Sequence, residues 1–141
     1  MSKKTLITAL TYAGTLPFLG CAFLTLSDLS LNFLPIAASE IARAYGAVIL
    51  SFIAGSHWGL VLNQKAYLDI LIHSNIAALL AWTALLIPMQ SGLLLLTGLF
   101  IYLYLIDIVR LNGKVIDKDY LALRRNASGV VVLSLLAIAF M

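Results

Sequence analysis

The stretch Gly92-Leu93-Leu94-Leu95-Leu96-Thr97-Gly98-Leu99-Phe100-Ile101-Tyr102-Leu103-Tyr104-Leu105-Ile106-Asp107-Ile108-Val109-Arg110-Leu111 is broken by charge only at Asp107 and Arg110. A helix crossing a hydrocarbon core of about 30 Å needs about 20 mostly apolar residues, and this stretch has that length. The rest of the chain agrees. Of 141 residues, 62% are hydrophobic and 11% charged, with a mean hydropathy of +1.04. Soluble domains run at roughly 45–50% apolar and about 25% charged, so there is too little polar surface here to face water. Low charge, 9 Gly, 3 Pro and a single Cys also exclude a disordered tail, a collagen-like repeat and a disulfide scaffold. An integral membrane protein with one compact domain remains.

Working outward from 92–111, four more apolar runs appear, and the expected spans are 5–26, 40–62, 68–87, 92–111 and 120–141. Polar residues separate the first two: Ser27, Asp28, Ser30, Asn32 and Pro35. Ser39 is a plausible N-cap for the second, with Glu40 where the helix dipole favours negative charge. Asn63, Gln64 and Lys65 end that span. Pro88, Met89, Gln90 and Ser91 make so short a turn that the third and fourth helices must form a tight antiparallel pair. Asn112 or Gly113 supplies a left-handed C-cap for the fourth, and the fifth opens near Asp119 or Tyr120. The runs are continuous rather than alternating, so they read as helices and not as strands of a membrane barrel. The fold class is therefore all-α, a bundle of five transmembrane helices.

Basic residues orient the spans. With the N-terminus inside and the C-terminus outside, Lys3, Lys4, Lys65, Arg110, Lys114, Lys118, Arg124 and Arg125 collect on the inner face, and of the 9 basic residues only Arg43 falls outside. The net charge of +3 is then a topology signal rather than a nucleic-acid footprint, and no nucleic-acid partner is expected. Lys3 and Lys4 before an apolar stretch resemble a signal peptide, and Phe18-Leu19-Gly20-Cys21 a lipoprotein cleavage site. Bulky Leu19 before Gly20 argues against cleavage, so Cys21 reads as a buried apolar residue. Gly14, Pro17 and Gly20 should bend this first span.

Polar residues inside the spans are costly and mark functional candidates. His57 on the second helix and His73 on the third each lie about 7 Å from the inner ends of their helices, and Asp107 about 6 Å from the inner end of the fourth. Arg124 and Arg125 approach from the same side on the fifth. Two histidines at matched depth suit either independent hydrogen bonds, with Asp69 four residues before His73 as its partner, or a shared haem or metal ligand; the independent reading is preferred, and no cofactor or metal is expected. Asp107 has two candidate partners, Arg110 three residues on and Arg124 across the bundle. On the outer side Glu40 and Arg43 are expected to pair. Trp58 and Tyr45 suit interfacial belts. Ala47, Ser51, Gly55 and Gly59 recur every four residues, a small-residue stripe that lets another helix approach closely, expected first to pack within the chain and second to form a homodimer. No Ser-His-Asp order, catalytic carboxylate pair, phosphate loop, zinc spacing or dinucleotide fingerprint is present, which weighs against an enzyme.

The block Ala44-Tyr45-Gly46-Ala47-Val48-Ile49-Leu50-Ser51-Phe52-Ile53-Ala54-Gly55-Ser56-His57-Trp58-Gly59-Leu60 resembles the signature of an uncharacterised family of small five-span membrane proteins of proteobacteria that includes the mitochondrial transmembrane protein 69 of animals. The resemblance extends through Leu79-Leu80-Ala81-Trp82, Asp107, Tyr120 and Leu123-Arg124. It implies residence in a bacterial inner membrane and singles out His57, Trp58, Gly59, Trp82, Asp107, Tyr120 and Arg124, while His73 matches none of its motif residues.

Together these readings lead to a non-enzymatic membrane protein with a ligand site of His57, Trp58, Asp107, Tyr120 and Arg124 at the inner leaflet. Ser51, Gly55 and Gly59 are its helix-packing residues. The expected ligand is a polar headgroup, proton or lipid- or quinone-like molecule, bound or transported, and the expected partners are the bilayer and its anionic lipid headgroups. The competing expectation is an accessory or assembly subunit docked on a larger membrane complex, and a third is a bis-histidine haem protein.

Overall fold

The computed structural model of the chain describes residues 2–28, 34–63, 66–113 and 116–141. Ser30, Asn32, Gln64, Lys65 and Lys114 lie outside them. The described residues are helical: α1 (Lys3–Ala13), α2 (Leu16–Leu26), α3 (Ala38–Leu62), α4 (Asp69–Thr83), α5 (Met89–Ile106), a π-helical turn (Asp107–Leu111) that continues α5, and α6 (Lys118–Ala139).

Four segments among the described residues are long and apolar enough to cross a membrane: Lys3–Leu26, Ala38–Leu62, Met89–Leu111 and Lys118–Ala139. The expected third span is the exception. α4 has 15 residues, about 22 Å at 1.5 Å per residue, short of a 30 Å core. Beyond it Leu85 and Leu86 donate to carbonyls three residues back, at Trp82 and Thr83, so the apolar run 68–87 ends in tighter turns rather than in α-helix. Pro88, with no N–H to give, stops it and serves as N-cap of α5. The turn is therefore 84–88, and Met89, Gln90 and Ser91, expected in the loop, form the first turn of α5. Ala84 and Gly92 show how tight the hairpin is: a Cβ on Gly92 would lie 2.3 Å from the Ala84 carbonyl oxygen.

The expected bend in the first span is a break. Pro17 cannot donate to Ala13, and the free carbonyl of neighbouring Gly14 accepts from the Tyr45 hydroxyl of α3 at 3.2 Å. α3 begins at Ala38 with Ala37 as N-cap and no side-chain cap, so Ser39 lies inside the helix rather than capping it, while Glu40 does fall in the first turn. Gly113, at φ 72°, takes the left-handed conformation anticipated after the fourth span.

Contacts between helix ends fix the order of the bundle. At one end Lys4 of α1 pairs with Asp119 of α6, and Arg110 after α5 pairs with Asp69 opening α4. At the other, Arg43 near the start of α3 donates to the Ile87 carbonyl after α4, and Gln90 of α5 donates to the Ala139 carbonyl closing α6. Successive helical segments thus alternate in direction, and every described basic residue except Arg43 belongs to the first end. Arg43 spends its charge on Ile87, so the expected Glu40–Arg43 pair does not form.

Phe18, Leu50, Leu93, Leu96, Leu103 and Leu135 form the centre of the core, with Ala42, Ala47, Ala54, Ala77, Ala81 and Ala84 letting α3 and α4 pack closely. The outside is apolar: Phe52, Leu62, Leu68, Leu86, Val109 and Leu133 are all exposed, a surface far larger than the apolar patches soluble monomers carry. Ser51 is half-buried, while Gly55 and Gly59 are exposed with nothing within 4 Å of an added Cβ. The expected packing stripe therefore does not pack within the chain. Four residues advance a helix by about 400°, so the row drifts about 40° per step and rotates off the face that Ala47 buries. Gly46, Ala47 and Ala54 are the small residues that do the packing.

Candidate ligand site at the basic end

Asp107 sits where α5 widens into its π-turn. Such turns are rare and recur at functional sites. This one places Asp107 inward, 2% exposed, while Arg110 three residues later reaches outward to Asp69 at 2.7 Å. Asp107 instead binds Arg124 of α6, which donates through Nε at 3.1 Å and Nη2 at 2.6 Å to Oδ2. His57 of α3, also 2% exposed, meets Oδ1 through Nε2 at 2.9 Å. Of the two partners open to Asp107 in the sequence, the distant one wins: Arg124 keeps its guanidinium almost wholly buried against the carboxylate, whereas Arg110 is on a half-exposed face with its own carboxylate.

A carboxylate engaged twice by a guanidinium has only acceptor capacity left, so His57 donates Nε2–H to it, and in the neutral imidazole Nδ1 then carries the lone pair. Nδ1 is buried and has no hydrogen-bond partner among the described residues. An unsatisfied buried polar atom costs about 1–3 kcal/mol, and native structures keep few of them. His57 itself lines a cleft.

The cleft, about 1000 Å³, runs between α1, α3 and α6 from the basic end to the Gly14–Thr15 break. It exists because α1 buries none of its residues and is tied to the bundle at its N-terminal end by the exposed Lys4–Asp119 pair. His57, Asp107, Arg124 and Tyr120 line its polar part, and Ile49, Phe52 and Ile53 of α3 face Ile7 and Leu10 of α1 across its apolar part. Ligand clefts typically measure about 300–1000 Å³ with apolar walls and a few convergent polar groups.

Four of the five residues singled out by sequence, His57, Asp107, Arg124 and Tyr120, thus line one cleft. Trp58 does not; it is exposed on another side of α3. His73 lies elsewhere: its Nδ1 is hydrogen-bonded to the Tyr102 hydroxyl of α5, not to Asp69. The two histidines therefore answer to different partners, as the independent reading required. Cys21 is buried and free. Missed by sequence were the Lys4–Asp119 tie and the π-turn; the former was readable from the helix order, since both residues open helices at the basic end.

Residues 3–140 match a family described as a protein of unknown function, DUF3429. The chain belongs to the DUF3429 family. No curated protein and no solved structure is significantly similar to it. As DUF3429 carries no assigned chemistry, the buried triad and its cleft are the features of this member that point to a role.

Proposed function

We propose that this chain is a five-pass protein of a bacterial inner membrane, N-terminus in the cytoplasm and C-terminus outside, that binds a membrane amphiphile in the cleft between α1, α3 and α6 without chemically converting it. The observation that carries this reading is the unpartnered Nδ1 of His57, held by Asp107 and Arg124 beside a cleft with apolar walls. A buried ion pair is weak evidence for stability, because desolvation offsets much of its attraction; its retention inside a membrane-type bundle fits a ligand site. The gathering of basic residues at one end supports the orientation, and the short α4 completes its pass through the turns 84–87.

Filling the cleft tests the binding role. Ile53→Trp should leave the helical circular dichroism unchanged and reduce the amphiphile retained in native mass spectrometry at least tenfold. Full retention in the filled variant would show that the cleft is not the site.

A second reading rests on the exposed Gly55 and Gly59, where a Cβ would meet nothing. Such a face admits a helix of another subunit at short range, as an accessory role would need. Gly55→Leu with Gly59→Leu should then abolish co-purification of a stoichiometric partner while leaving the isolated chain folded.

A further inference from the structure

The amphiphile reading leaves the headgroup open, and two observations constrain it. The first is charge. The cleft is lined by three cations, Lys3, Lys4 and Arg124, and three carboxylates, Asp107, Asp117 and Asp119. Arg124 is neutralised by Asp107 and Lys4 by Asp119, and Asp117 offsets Lys3 in the lining's total, so among the described residues the cleft has no net positive charge to offer a phosphate. An anionic headgroup brought into it would lose hydration against a lining of zero net charge, where the exposed Lys3 is the one described lining cation outside an ion pair. The second is polarity at the buried end. With Nε2–H of His57 given to Asp107, Nδ1 of the neutral ring is an acceptor, and only a donor satisfies it. Neither a carbonyl nor an ether oxygen can.

We infer that the cleft selects an uncharged, hydroxyl-headed amphiphile, whose O–H donates to His57 Nδ1 while its hydrocarbon lies along Ile49, Phe52 and Ile53 of α3. Asp107 acts here as a positioning residue, fixing the tautomer and the ring plane, and Arg124 holds Asp107. The same arrangement makes His57 a base toward the bound hydroxyl, with Asp107 stabilising the imidazolium if the proton moves. Two membrane alcohols share this chemistry, the hydroquinone of a reduced quinone and the free hydroxyl of a diacylglycerol.

The inference rests on the amphiphile reading, and its test separates the two. The full-length protein in nanodiscs is titrated with four probes: decylubiquinol under reducing conditions, its dimethyl ether, dioctanoylglycerol, and dioctanoyl phosphatidylglycerol as the anionic comparison. Binding is followed by calorimetry and by the 15N resonance of His57 Nδ1. At least one free-hydroxyl probe should bind about tenfold tighter than the ether, the worth of one net hydrogen bond, and should move the Nδ1 resonance. Preference for the hydroquinone or for the glyceride identifies the source. Equal affinity for hydroquinone and ether, with dioctanoylglycerol no tighter, overturns the hydroxyl selection while leaving amphiphile binding intact, as does preference for the phosphatidylglycerol. Failure of all four probes to bind sinks both. His57→Asn, which shortens the side chain, should erase the preference without erasing binding of the tails; a preference that survives it contradicts the role given to Nδ1.

Discussion

At the scale of single residues, the Asp107 carboxylate holds the basic end together, and its worth is conditional. Asp107→Ala leaves the Arg124 guanidinium buried without a counter-charge, and removal of one partner from such a pair typically costs about 3–5 kcal/mol. Arg124→Ala should cost a similar amount. The double variant should cost less than the sum, with a coupling of at least about 1 kcal/mol; reversible unfolding of the four proteins in detergent measures it, and strict additivity would mean that the pair contributes nothing jointly. The glycines divide by the same kind of local argument. Gly92→Ala forces a Cβ to within 2.3 Å of the Ala84 carbonyl oxygen and should lower the melting temperature by several degrees, whereas Gly55→Ala, with open space around it, should be neutral or slightly stabilising through helix propensity.

At the scale of elements, two irregularities position the cleft. The break at Gly14–Thr15 separates α1, which buries nothing, from α2, which packs Phe18, Cys21 and Ala22 into the core. Phe18 stands edge-on to Phe100 and beside Tyr45, so α2 is anchored where α1 is not. Hydrogen exchange should therefore show α1 amides exchanging faster than those of α2, although both belong to one apolar run; equal protection would place α1 firmly on the bundle. The second irregularity is the π-turn. Deleting Val109, which is exposed, should convert the turn to α-helix and swing Arg110 by about 100° away from Asp69. Loss of that ion pair and of Leu111 burial should lower thermal stability, while Asp107, upstream of the deletion, keeps Arg124.

At the scale of the whole molecule, the helical bundle was largely legible in the sequence because long apolar runs separated by short polar breaks write its helices. Helix boundaries were less so. Pro88 reads equally well as loop or cap until its carbonyl is seen accepting from Gly92, and Ser39 looked like a cap because nothing in sequence shows that Ala37 starts the helix. Depth counting brought His57, His73 and Asp107 to one level, with Arg124 approaching from the same side, which is how much of the site sequence could give. It could not choose Arg124 over Arg110 for Asp107, since that depends on the π-turn's azimuth, nor foresee Tyr102 as the partner of His73. The cleft was invisible for a different reason: it is space left by α1, and absence of packing has no signature in an apolar run. The drift of the Ser51–Gly55–Gly59 row was calculable from 100° per residue, and it sends those glycines outward.

The orientation is a property of the whole chain as well. Reporter fusions should place the ends on opposite sides, with a reporter after Met141 active only outside the cytoplasm and one before Met1 only within it.

The central claim is that a membrane amphiphile occupies the space beside His57, and the most direct measurement is photocrosslinking in native membranes from a photoreactive amino acid placed at Ile53, inside the cleft, or at Trp58, on the exposed side of the same helix. Intact-mass analysis should find one discrete adduct of lipid mass at Ile53, reduced at least several-fold by His57→Phe, and only weak, heterogeneous labelling by bulk lipid at Trp58. The same heterogeneous labelling at both positions, insensitive to His57, would contradict the account.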